Sequence, residues 1–210
     1  MLIRRVRVCD PASGTDAVMD ILIRGVRFAR IEPSIPEDEV RGEAVLDGGG
    51  LLAAPGLVDT HVHFRDPGFT DKEDILSGAA AAAKGGYTSV IMMANTRPPI
   101  DNADTLSYVL QKGRSTPVHL YSCAAVTRGM GGRELNDLEA LAGAGAAGFT
   151  DDGKPVMDPV LLEEAFRRAA RLKLPVSLHE EDPAWVHEAG VNAGGRAAWA
   201  LRLAGADREA

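Results

Sequence analysis

The segment GLVDTHVHF, residues 56–64, is a short apolar run that closes on two imidazoles, His61 and His63. A run of this length, rich in Val and bounded by Pro55-Gly56, reads as a buried strand rather than a helix. Four runs of the same kind follow: YTSVIMMAN (87–95), PVHLYSC (117–123), AAGFTDD (146–152) and PVSLHEE (175–181). Helix signals lie between them. Thr70 and Glu73 have capping-box spacing ahead of ILSGAAAAAKGG, which Gly85 and Gly86 can stop. Asn102 to Lys112 closes on Gly113, and Leu135, Leu138 and Leu141 recur at helical spacing. Asp158-Pro159 is an N-cap with proline at the first helical position, followed by Leu162, Phe166 and Ala169, and Asp182-Pro183 repeats the device. Strands alternating with helices predict an α/β chain on a parallel sheet, with (β/α)₈ TIM-type barrel topology. Such a barrel takes roughly 250 residues, so residues 54–210 are expected to hold only its first half, truncated after about five βα units.

Residues 1–53 read as a separate small β unit. Val6 and Val8 alternate with Arg5 and Arg7, Ile21 and Ile23 flank Leu22, and DPASG and GGG punctuate the strands. Thirty acidic against 23 basic side chains give a net charge of −7, the wrong sign for phosphate attraction, so neither nucleic acid nor an anionic membrane is an expected partner. No apolar run approaches the roughly 18 residues of a membrane helix, and the strand-like opening LIRRVRV gives no expectation of an export leader. Cys9 and Cys123 make no disulfide framework, which points to the cytoplasm.

In a barrel the chemistry sits at the carboxyl ends of the strands. His61 and His63, two apart, share one face of a strand and can converge on one cation. An isolated pair of this kind means little. Here the fourth run ends in Asp151-Asp152, either of which offers a carboxylate, and the fifth in His179. Imidazoles and a carboxylate at successive strand ends suit Zn²⁺. Arg65, two past His63, can grip a carboxylate with its guanidinium fork, and Asn95 can donate to the same group or cap a turn. Cys123 ends the third run as a small apolar filler. His119, in the middle of that run, and His187, on a short helix after Asp182, read as structural.

The string HVHFRDPGFTDKEDILSGAAAAAKGGYTSVIMMANT, with GFTDDG and SLHEED downstream, resembles the bacterial dihydroorotases of the amidohydrolase superfamily. The resemblance implies a metal-bearing barrel with a small β-sandwich built from both chain ends. It implies reversible hydrolysis of the cyclic amide of dihydroorotate to carbamoyl-aspartate in pyrimidine biosynthesis. It makes His61 and His63 ligands of a first zinc, His179 a ligand of a second, Asp152 the acidic ligand, and Arg65 and Asn95 the holders of the substrate carboxylate. ANT at 94–96 replaces the commoner PNT and leaves Asn95 in place. A further histidine ligand and a proton-shuttling aspartate are expected beyond residue 210, so this chain by itself is expected to bind metal weakly and turn over little.

Two alternatives stand beside this. Hydantoinases, dihydropyrimidinases and allantoinases need a lysine where Asp152 sits. A non-catalytic scaffold chain, partnered by aspartate carbamoyltransferase, usually loses the first-strand histidines. Unpaired strand edges also predict a homo-oligomer.

Overall fold

The computed structural model describes residues 1–186 and 190–206, so His187 lies outside the described residues. Contacts divide the chain into two units, Met1–Gly56 and Leu57–Ala210, where the sequence placed the boundary at 53/54.

The first unit is one five-stranded sheet. Its centre is β1 (Leu2–Asp10), which pairs antiparallel with β2 (Thr15–Arg24), itself antiparallel to β3 (Arg27–Glu32). The other side of β1 is lined in parallel by β4 (Val45–Asp47) and then β5 (Leu52–Ala53). Two small apolar clusters form, Leu2 with Leu22, Ile35 and Val40, and Val6 with Val8 and Ile21.

One buried charge organises this unit. Asp20, 3% exposed, accepts from Arg5 N at 2.9 Å, Ile35 N at 3.0 Å and Arg4 Nη1 at 2.6 Å. Burial alone would raise its carboxyl, but the Ile35 and Arg5 amides and the Arg4 guanidinium outweigh that and hold it below the ordinary 3.8. A depressed native pKa contributes stability that is present above the unfolded value and is lost as pH falls through the folded one. Wild type should therefore lose stability to acid below about pH 3.8, whereas Asp20→Asn should lose about 1–3 kcal/mol at neutral pH and respond less to acid in urea titrations.

The second unit alternates strand and helix: β6 (Leu57–Val62), α1 (Ile75–Lys84), β7 (Tyr87–Met92), α2 (Ala103–Gly113), β8 (His119–Ala124), α3 (Leu138–Gly143), β9 (Gly148–Thr150), α4 (Pro159–Leu172), β10 (Val176–Ser177) and α5 (Arg196–Leu201). Each of the five expected runs holds one strand. All pairings are parallel and the sheet order is β10-β9-β8-β7-β6, the order of the chain. Helices pack beside their sequence neighbours, α1 on α2, α2 on α3 and α3 on α4. A doubly wound sheet would reverse direction at some strand; this one is wound singly, as the first strands of a barrel are. Val90, Met92, Leu106, Val109, Leu138 and Phe149 fill its core.

Local expectations fared unevenly. Asp158 caps α4 as read, accepting from Val160 N and Leu161 N, and Asn102, where the sequence begins the second helix, is the N-cap of α2, accepting from Thr105 N. The cap of α1 is Asp74, not the Thr70/Glu73 pair: its carboxylate accepts from Leu76 N at 2.7 Å and Ser77 N at 3.0 Å, and Ser77 Oγ accepts back from the Asp74 amide. Asp74 prevails because it directly precedes the first apolar helical residue, Ile75. Asp182 caps only a turn, accepting from Ala184 N at 2.9 Å. Leu135 stays outside α3, bridged to Thr127, because Asp137 caps the helix two residues later. His119 opens β8 instead of sitting within it, and is exposed at the end of the sheet away from the imidazoles.

Candidate metal centre at the strand ends

The carboxyl ends of four strands bring five polar side chains together. His61 is the penultimate residue of β6 and His63 lies one past its end; Asn95, Asp152 and His179 follow β7, β9 and β10 within three residues. Pairing of β6 with β7 shifts register between Asp59 and Val62, so an extra residue in β6 bulges beside His61. Such bulges re-aim side chains where pairing ends. The two rings meet edge to face, centroids 5.0 Å apart.

Asp152, 7% exposed, is the centre of the cluster. Its Oδ1 lies 3.6 Å from His61 Nε2 and 3.4 Å from His179 Nδ1, and its Oδ2 lies 3.4 Å from His63 Nε2. These separations exceed the 2.7–3.2 Å of an ordinary N–H···O bond. They match the edge of a tetrahedron: two donors at the roughly 2.0–2.2 Å of zinc bonds to nitrogen and oxygen sit about 3.4 Å apart. The donor atoms of His61, His63 and Asp152 all lie within 4.8 Å of one another. The donor set and spacing therefore fit a divalent cation.

Two neighbours hold the rings. Asn95 Oδ1 is 3.0 Å from His63 Nδ1, while Asn95 Nδ2 donates to Asp152 Oδ2 at 2.9 Å. Glu181 Oε2 is 3.0 Å from His179 Nε2, which turns Nδ1 toward Asp152. The sequence reading assigned Glu181 no part, although a carboxylate two residues past a strand-end histidine is a signal for ring orientation.

Of the two candidate acids, Asp151 faces away from the cluster. It is buried, accepts from Thr127 N at 3.1 Å and pairs with Thr127 Oγ1; burial pushes its carboxyl up, against the Thr127 hydrogen bonds. Arg65 is half-buried and does not continue the strand, since β6 stops at Val62 and Arg65 takes a left-handed φ of +58°. Its neighbours pin it there. Phe64 is buried against Gly78 of α1, and Asp66, 1% exposed, takes hydrogen bonds from Tyr108 Oη at 2.9 Å and Lys112 Nζ at 2.6 Å. Cys123 is buried and its thiol is pushed up to about 12 by that burial, which fits an apolar filler.

The family profile described as dihydro-orotase-like matches residues 50–200. The chain is 47% identical over 211 residues to the dihydroorotase of Clostridium acetobutylicum, covering 100% of this chain and 49% of that protein. It is 50% identical over 206 residues to the dihydroorotase of Clostridioides difficile, covering 98% and 48%. The chain thus spans about half the length of these curated relatives. Among solved structures, an L-hydantoinase from Arthrobacter aurescens superposes with a TM-score of 0.71 at 23% identity, covering 88% of this chain and 41% of that one. Identity that low speaks for the fold, and it places the parallel sheet within the hydantoinase type of barrel. Among the described residues no helix is long and apolar enough to cross a membrane. With the profile match over residues 50–200 and near-half identity along almost the whole sequence, the chain belongs to the dihydro-orotase-like family.

Proposed function

We propose that this chain carries the zinc ligands His61, His63, Asp152 and His179 of a cytoplasmic dihydroorotase, which interconverts dihydroorotate and carbamoyl-aspartate. The observation behind this reading is the convergence of three imidazole nitrogens on the Asp152 carboxylate at 3.4–3.6 Å. One or two zinc ions bound there would supply an acidified water and a polarised amide carbonyl. The chain's own residues do the positioning. Asp152, with one oxygen toward His61 and His179 and the other toward His63, presents both lone-pair sets to the cluster. Arg65 is proposed to grip the substrate carboxylate, its backbone fixed by buried Phe64 and Asp66 on either side. Asn95 enters the same reading as a second contact to that carboxylate. A hydantoinase-type reaction is less well supported, because an aspartate occupies the centre of the cluster and the hydantoinase likeness is one of fold.

The test is zinc content of the dialysed 210-residue protein by plasma emission, alongside conversion of dihydroorotate followed by absorbance. Wild type is expected to bind zinc weakly, keeping less than one equivalent through dialysis, and to convert the substrate slowly, with loss of conversion on chelation. His61→Ala should lose zinc by at least tenfold in affinity. Zinc binding indifferent to His61→Ala would overturn the assignment.

Self-association belongs to the same proposal. Among the described residues β6 pairs only with β7 and β10 only with β9, and Leu57 and Val58 on β6 are 54% and 59% exposed. Light scattering on the eluted protein, with and without aspartate carbamoyltransferase, reads out both the homo-oligomer and that partner.

A further inference from the structure

We infer that Asn95 is a positioning residue of the metal cluster, which selects the free nitrogen of His63 and the facing of Asp152. Hydrogen-bond chemistry orients its amide. A carboxylate only accepts, so the end of Asn95 lying 2.9 Å from Asp152 Oδ2 is the NH₂. The other end is then a carbonyl oxygen, which also only accepts, and it lies 3.0 Å from His63 Nδ1. His63 therefore carries its hydrogen on Nδ1. In the neutral ring Nε2 is then left with a lone pair, aimed at the region beside Asp152 Oδ2, 3.4 Å away. Asn95 Nδ2 also approaches the Asp152 carbonyl at 3.4 Å, so both polar ends of the amide are engaged inside the cluster.

The backbone keeps the amide there. Met93, Ala94 and Thr96 around it are buried, and Met93 N donates to Val62 O at 3.0 Å, which ties the end of β7 to β6 between the two histidines. Gly153, in the turn after Asp152, lies against the same amide: a methyl built on it would sit 3.7 Å from Asn95 Nδ2. Glu181 acts on His179 in the mirror sense, engaging Nε2 and freeing Nδ1. Each of the two rings thus has a partner that decides which nitrogen faces the carboxylate.

This inference rests on the metal reading proposed above but is tested separately. In ¹⁵N-labelled, zinc-free wild type in mildly alkaline buffer, long-range proton–nitrogen correlation should show His63 with its hydrogen on Nδ1. Asn95→Ala should move it to Nε2 and weaken zinc binding by about 10–100-fold in chelator competition, with an unchanged circular dichroism spectrum. Asn95→Asp keeps an acceptor for Nδ1 and should keep the wild-type tautomer, although it gives up the donor to Asp152 Oδ2 and sets two carboxylates together, so the tautomer alone is read from it. A residue that only touches substrate would instead raise KM and leave zinc affinity alone. Wild-type His63 found with its hydrogen on Nε2, or Asn95→Ala binding zinc as tightly as wild type, overturns the inference. If wild type itself bound no zinc, the metal reading would fail while the tautomer measurement still decided the role of Asn95.

Discussion

Asp152→Ala is expected to abolish zinc binding in the range where wild type saturates, a loss of at least 100-fold in affinity and with it all hydrolysis. No other substitution in the cluster removes as much, since this one carboxylate faces three imidazole nitrogens and takes the Asn95 amide. Losing a group that only orients a ligand costs about 10–100-fold in metal affinity, and Asp152 is itself the group the Asn95 amide orients. Melting experiments give an independent readout. A ligand at 100 times its Kd stabilises the folded state by about 2.7 kcal/mol, so added zinc should raise the wild-type melting temperature by several degrees and leave Asp152→Ala unmoved. An Asp152→Ala protein that melts higher with zinc, as wild type does, would show that the ion binds elsewhere.

Gly68→Ala should be the most destabilising small substitution in the second unit. Gly68 has a φ of +94°, and a methyl built on it would lie 1.9 Å from the carbonyl oxygen of Arg97, with Arg97 Cβ at 2.6 Å. The obstacle is backbone, so no side chain can swing aside. The two loops are also bonded to each other, Arg97 N donating to Pro67 O at 2.9 Å. Opening them would pull on Asp66, whose buried carboxylate holds Lys112 and Tyr108 of α2. Clash, backbone strain and a disturbed buried ion pair together put the loss at about 4 kcal/mol or more. Gly86→Ala is the matched control: it shares a positive φ, +86°, but has nothing within 4 Å, so only the conformational cost of about 1–2 kcal/mol should appear in urea unfolding. Equal losses for the two would refute the steric account.

The sequence carries the framework well because two periodicities coincide there. Apolar runs that stop on polar residues locate all five strands of the second unit, and the same stops are where a barrel places its ligands, which is why His61, His63 and His179 could be picked out singly. The cap was readable where the capping side chain directly precedes a helix-opening proline, as at Asp158, and misread at Thr70, where a better placed Asp74 competed. Choosing between Asp151 and Asp152 needed either the family resemblance or the coordinates, since adjacent residues leave a strand end in opposite directions. The spacing of two from His63 puts Arg65 on the same side only if the strand persists; its left-handed backbone instead follows from buried Phe64 and Asp66, whose burial against α1 and α2 is a tertiary fact. The Asn95 bridge joins residues on different strands and has no signature in local spacing.

Because the sheet of the second unit lies in the order in which its strands are synthesised, a nascent chain emerging at about 5–20 residues per second can lay each βα module on the edge left by the previous one. Within the order β6 to β10 each strand after the first finds a partner in its immediate predecessor. The imidazoles of β6 are therefore in place early, the carboxylate after β9 joins them next, and His179 is delivered last. If these four side chains bind an ion as proposed, its capture would report that vectorial assembly has passed β10.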